Sequence, residues 1–268
     1  MRSKLILMGF SVLTILNSCQ KELAENNLPA FCGVSSVILK DGSGNIKARY
    51  DYQYDSLLRR PTMMRYQNLQ SGTSKTIYPT YSNDTVHFAQ GNYLTLDASK
   101  RIKFLAEPTP VPANYLNYYY TYNSNGNLDQ RLLDDGINDA LRTNFFFDNG
   151  NLSGYKQDYA GVPQSLSADI TTATAPKITG YNQYAFLEIF PELLLYMPVL
   201  QLGKMPAFPI SAIETSIENT GGLSPAYTTN YSNYAVNAEG WLSTFETNMT
   251  VNGVPESTVK YELAYTCF

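Results

Sequence analysis

Apolar and polar residues alternate over short stretches of this chain. "YLNYYYTY" (115–122), "TNFFFD" (143–148) and "STFETNMTV" (243–251) put apolar or aromatic side chains at close to every second position. A period of two is that of a strand with one covered face. Between such stretches a phrase recurs. It reads "YDSLLRR" from 54, "LDASKRI" from 96, "YNSNGNL" from 122, "FDNGNL" from 147 and "VNAEGWL" from 236. Each begins with an apolar or aromatic residue and then Asp or Asn. A few polar residues follow, often with Gly, and then an apolar residue. That is the chemistry of a hairpin tip: Asp or Asn closes the turn through its side chain, and Gly takes the positive φ that other residues resist.

Asn123 and Asp148 are 25 residues apart, room for two strands of about ten residues and their turns. Further tips are predicted at 40–47 ("KDGSGNIK"), 68–73 ("NLQSGT"), 81–84 ("YSND") and 251–256 ("VNGVPE"). The predicted fold is all-β. It is an antiparallel up-and-down meander, curved into a partly closed barrel.

Residues 176–213 break this rhythm. Within "YNQYAFLEIFPELLLYMPVLQLGKMPAFP", Tyr184, Leu187, Phe190 and Leu194 fall at helical spacing, as do Leu193 and Met197. Pro191 and Pro198 each suit the start of a helical turn and not the interior of a long helix. The expectation is a short apolar helical insertion at about 181–205. It is apolar all round, so it must be buried, and the concave face of the sheet is the place for it. Its prolines, Glu188 and Glu192 argue against membrane insertion. Asn, Thr, Gln and Asp at alternate strand positions do not make the apolar outer band of a spanning barrel.

The N-terminus has another pattern. Arg2 and Lys4 precede "LILMGFSVLTIL" (5–16), a basic start and an apolar run too short to span a bilayer as a helix. The run ends at "LNSC", and Leu16, Ser18 and Cys19 resemble the lipobox of bacterial lipoproteins. The resemblance implies that residues 1–18 are a signal peptide, cut before Cys19. The Cys19 thiol would carry a diacylglycerol and its new amino group a further acyl chain such as palmitate, anchoring the protein durably. "CQKE" resembles the surface-export signal of lipoproteins in the Bacteroidota. Residues 19–30 then read as a flexible tether, and 31–268 as one β domain.

Composition adds less. The 268 residues carry a net charge of −4, which becomes −6 on loss of Arg2 and Lys4. There is no basic run, so nucleic acid is excluded as a partner. The chain has 22 Tyr, one His and one Trp. Tyrosine favours pleated, half-buried surfaces, so its abundance is a strand signal before a binding signal. Cys32 and Cys267 remain after Cys19. A pair in an oxidising compartment invites a disulfide joining the first and last strands; the alternative is two separate small core residues.

Candidate chemistry is sparse. His87 is the single histidine, and no "GxSxG" accompanies it. Asp134, Asp135 and Asp139 gather in "LDDGIND" without the order of a calcium loop. No His/Cys cluster has zinc spacing, and "GSGN" (42–45) is a tip, not a phosphate loop. No cofactor or metal is expected. The phrase resembles the YD repeats of large secreted β proteins, although Asn127, Asn151 and Trp241 stand where those repeats place Arg. Over most of the chain the combination resembles uncharacterised Bacteroidota lipoproteins with a porin-like β fold: lipobox, Tyr-rich hairpins with Asn-x-x-Gly turns, one apolar insertion. That resemblance implies a fold and an outer-membrane, surface-exposed address, and no chemistry. The functional expectation is a non-enzymatic binding module for a glycan or peptide, with Tyr118, Tyr119, Tyr120 and Tyr122 as its rings. The alternatives are a structural or assembly protein of the outer membrane and, last, a glycoside-active enzyme with a carboxylate pair.

Overall fold

The structure, a computed structural model, describes residues 32–88, 91–108, 115–136, 139–173, 191–199, 202, 208–219 and 222–268. The expected signal peptide, Cys19, the tether, Tyr184, Leu187 and Phe190 lie outside the described residues.

The strands run in chain order: β1 Cys32–Asp41, β2 Ile46–Asp55, β3 Arg60–Asn68, β4 Ser74–Ile77, β5 Thr80–Ser82 and β6 Thr85–His87. There follow β7 Tyr93–Leu96, β8 Ile102–Pro108, β9 Tyr115–Tyr122, β10 Leu128–Asp134, β11 Asp139–Asp148 and β12 Asn151–Tyr159. The last are β13 Ser165–Thr172, β14 Ile210–Asn219, β15 Gly222–Val236, β16 Leu242–Val251 and β17 Val254–Cys267. Apart from β4 and β5, consecutive strands pair antiparallel, as in β2 on β3, β11 on β12 and β16 on β17. β17 also pairs with β1. Gly33–Thr266 is one compact unit. Its fold is the expected antiparallel meander, curved into a partly closed barrel.

The alternation explains the curvature. β2 buries Ala48, Tyr50 and Tyr52 at every second position, and neighbouring strands add Met64, Leu94, Leu105, Leu128 and Phe245 to the same inner face. One face is covered, so each strand's register is fixed: a slip by one residue would turn that set outward. The strands from β4 to β7 are shorter than the expected ten residues. β4 and β5 are one run split at Tyr78–Pro79, where proline has no N–H for the ladder. Counting that run once leaves sixteen strand runs, or eight hairpins, among the described residues.

The tips close as their residues dictate. Asp55 Oδ1 accepts the N–H groups of Leu57 and Leu58, both at 2.8 Å. Asp41, Asn68, Asp97, Asn123 and Asn237 accept N–H groups of their own turns in the same way. At 149–150 the turn is tighter, with Asn149 at φ 50° and Gly150 at φ 81°, the two-residue form that suits twisted strands.

The described part of the expected helical insertion is a 3-10 helix, Pro191–Val199. Two prolines in nine residues remove donors that a longer α-helix needs. Leu193, Leu194, Leu195 and Tyr196 are all buried, so it is apolar all round, as expected. It packs on the inner face. Tyr52 donates its hydroxyl to the Leu194 carbonyl at 2.6 Å, and Phe88 lies 4.9 Å from the Tyr196 ring. Lys75 Nζ and Asn92 Nδ2 reach the Tyr196 hydroxyl at 3.3 and 3.2 Å. Burial, and then the Glu107 carboxylate, push that hydroxyl well above its ordinary value.

Cys32 opens β1 and Cys267 closes β17; the two are disulfide-bonded, with Cα atoms 4.1 Å apart.

Candidate functional site

Antiparallel strands alternate in direction, so successive turns fall on opposite edges of the sheet. The five phrases all occupy alternate turns: β2–β3, β7–β8, β9–β10, β11–β12 and β15–β16. They therefore share one edge.

That edge is built by a repeated contact. Tyr54 donates its hydroxyl to the Val34 carbonyl, Tyr81 to Pro61, Tyr122 to Ile102, Tyr234 to Ile210 and Tyr265 to Leu242, at 2.6 to 2.9 Å. In each case a tyrosine near the end of one strand run latches one of the first three residues of the preceding run. Burial pushes the Tyr54, Tyr81 and Tyr122 hydroxyls well above their ordinary values, so they stay protonated donors. In four of the five, the residue before the acceptor lies against the ring. Arg60 lies 4.5 Å over Tyr81, Arg101 lies 4.1 Å over Tyr122, and Trp241 packs 5.4 Å from Tyr265. At Tyr54 the covering residue is Gly33, and a Cβ there would stand 2.5 Å from the ring. Tyr122, the first residue of one phrase, and Arg101, from the phrase before it, thus act together.

Among the described residues, three hairpins lack the latch. The pairing registers put Leu96, Phe147 and Thr172 at the tyrosine position of β6–β7, β10–β11 and β12–β13. None of them carries a hydroxyl on a ring. In β10–β11 the covering position is Asn127, smaller than Arg or Trp. An open cleft of about 580 Å³ lies here, lined by Asn123, Asn125, Asn127, Asn149, Gly150 and the consecutive residues Phe145, Phe146 and Phe147. Its walls are two phrase tips. Asn123 Oδ1 accepts the N–H groups of Asn125 and Asn127 at 3.0 and 3.1 Å, and Gly126 sits at φ 84°. Asn127 is 7% exposed, and Phe146 is 51% exposed on the outer face. Phe146 pairs with Gly154, which has no side chain to lift it; the ring's Cδ2 is 3.8 Å from where a Cβ would stand. Amide groups and an aromatic ring together can bind hydroxyls and stack on an apolar ring face.

The four tyrosines singled out in the sequence separate. Tyr118 and Tyr120 are buried on the inner face, and Tyr122 is the half-buried latch donor. Arg131 lies 4.5 Å over the Tyr118 ring. Tyr119 alone faces out, 41% exposed, 5.1 Å from Phe104, which is 5.4 Å from Tyr93. These outward rings are tilted by 58° and 43°, so they do not make one flat platform. His87 ends β6 on the same face, its Nε2 3.1 Å from Ser82 Oγ. Asp134 Oδ1 accepts from Gly136 N at 2.7 Å, a turn contact. Among the described residues, no three His, Cys, Asp or Glu side chains are grouped to hold a metal. The cleft was missed in the sequence, although its signal was there: Phe147 begins its phrase where Tyr54 and Tyr122 begin theirs, and Asn127 stands where two other phrases have Arg60 and Arg101.

No family model and no curated protein matches the sequence. The fold does match solved structures. A porin-like protein from Bacteroides uniformis superposes with a TM-score of 0.65 at 15% identity, over 87% of this chain and 98% of that one. A porin-like protein from Bacteroides vulgatus gives 0.53 at 13%, with the same coverage of each chain. The chain therefore has the β fold of these Bacteroides porin-like proteins.

Proposed function

We propose that this protein is a lipid-anchored envelope protein of the Bacteroidota that binds a ligand without transforming it, using the cleft between the 123–127 and 149–150 tips. The observation that carries this reading is the cleft's lining: four asparagines and an exposed phenylalanine at a hairpin whose latch is missing. None of its lining side chains is an acid or base. A glycosidase needs two carboxylates flanking the sugar, so the lining supports holding over hydrolysis.

The address rests on the sequence. "LNSC" supports lipidation at Cys19, and "CQKE" supports export to the outer surface. The porin-like neighbours agree with an envelope protein. Outward positions on β13 and β14 are Ser165, Ser167, Asp169, Glu214, Ser216 and Glu218. Charges there do not suit a lipid-facing band, so the lipid and not the barrel would hold the protein to the membrane.

Two measurements test this. Cys19→Ser should abolish incorporation of labelled palmitate and release the protein from the membrane fraction; undiminished labelling would sink the anchor. The full chain, purified in detergent, should bind members of a broad glycan and peptide array. Silence across the array would turn the reading towards a structural or assembly role in the outer membrane.

A further inference from the structure

We propose that the ligand of this cleft is an uncharged oligosaccharide, in preference to an anionic glycan or a peptide strand. The inference rests on the binding reading above and narrows it.

Charge is the first reason. An anionic sugar such as a uronic acid is held by Arg or Lys forks, or by clustered backbone N–H groups. The lining holds asparagine, phenylalanine and glycine, and no cation. The chain as a whole is acidic, at −4. A carboxylated ligand would enter an acidic protein with no lining charge to offset its lost hydration.

Complementarity is the second. A sugar hydroxyl both donates and accepts, and so does an amide side chain. Asn123, Asn125, Asn127 and Asn149 line the cleft from two tips, and Asn125 and Asn149 are exposed at theirs. The tips are fixed before any ligand arrives, by the Asn123 side-chain bonds to Asn125 N and Asn127 N, and by the Asn149–Gly150 turn. Preorganised donors and acceptors avoid an ordering cost on binding. Phe146, paired with Gly154 and half-exposed, offers its ring to stack on the C–H side of a pyranose.

Topology is the third. Extended peptides are commonly captured by adding a strand to a free sheet edge. The strands behind the cleft have no such edge: β10 pairs with β9 and β11, and β11 pairs with β10 and β12. A ligand must be read by side chains, which suits a polyhydroxyl ring better than a main chain.

The experiment is titration calorimetry on the full chain in detergent. The probes are neutral cello-, manno- and xylo-oligosaccharides, anionic oligogalacturonides, and an unstructured peptide pool. At least one neutral series should bind, with an affinity little changed by salt. Phe146→Ala and Asn125→Ala should each weaken it roughly tenfold, and Tyr119→Ala, on another part of the surface, should not. Asn125 is exposed in its turn, so its variant keeps the test sound if Phe146→Ala misfolds. Tighter binding of the oligogalacturonides, or of peptide, would overturn this inference and leave the binding module standing. Neutral binding indifferent to both cleft variants would overturn the site. No binding by any probe would overturn both readings.

Discussion

Tyr122→Phe tests the latch directly. The substitution keeps the ring, its packing and its stacking under Arg101, and deletes one hydroxyl. That hydroxyl donates at 2.7 Å to the carbonyl of Ile102, a residue with no exposed surface. A buried acceptor stripped of its donor costs about 1–3 kcal/mol. Tyr122 is half-buried, so water can partly replace the bond, and about 1.5 kcal/mol is the figure to expect. For a domain of this size each kcal/mol moves Tm by about 2–4 °C, so the variant should melt about 3–6 °C lower. Thermal unfolding followed by circular dichroism and by tyrosine fluorescence supplies both the shift and a check that the two probes coincide. Tyr119→Phe is the control. It loses an outward hydroxyl and should stay within about 0.5 kcal/mol of the parent. The reverse experiment is more demanding. Phe147→Tyr puts a hydroxyl at the vacant latch position of β10–β11 and should stabilise by about 0.5–1 kcal/mol while narrowing the cleft. If Tyr122→Phe is as silent as Tyr119→Phe, or if Phe147→Tyr melts no higher than the parent, the latch is incidental to stability.

Three more outcomes are expected. Glu218 accepts from Lys156 at 2.5 Å and from Ser165 and Ser167, contacts that hold its pKa down to about 2. Its contribution to stability is present above the ordinary glutamate range and is lost as pH falls towards 2; carboxyl-detected NMR should find that midpoint, and Lys156→Met should move it upward. Reducing the Cys32–Cys267 bond, which spans 235 residues, removes a constraint on the unfolded chain worth at most about 5 kcal/mol, read as a lower urea midpoint. Leu194→Ala, in the buried 3-10 helix, should cost about 3 kcal/mol as a cavity; an unchanged midpoint would mean that the helix is not core.

The fold was legible because period and turn chemistry agree. "YLNYYYTY" alternates, and Asn123 closes the tip after it through the side-chain bonds that Asn and Asp favour. The insertion was legible as buried, from Leu193 to Tyr196, but not as a 3-10 helix. Periodicity over so few residues does not separate the two helices, and the prolines decide it. The binding face was the least legible part. Four tyrosines in five positions look like one surface, yet alternation sends Tyr118, Tyr120 and Tyr122 inward and leaves Tyr119 out. Telling latch from ligand contact needs the register across two strands, which one sequence does not display. Once the register is known, the departure from the latch becomes the informative position: Phe147 where Tyr54 and Tyr122 stand in other hairpins.

The disulfide has a consequence for wear. Leu57 and Leu58 stand out at a tip, 90% and 57% exposed, an inviting place for a protease. A cut there, or at any one turn between Cys32 and Cys267, divides the chain into two pieces. Cys32 stays in the first piece and Cys267 in the second, so the pieces remain one covalent molecule. Nothing is shed, and whatever holds the stretch before Cys32 holds both halves. A nicked copy would run as a single band until a reductant is added, and only then as two.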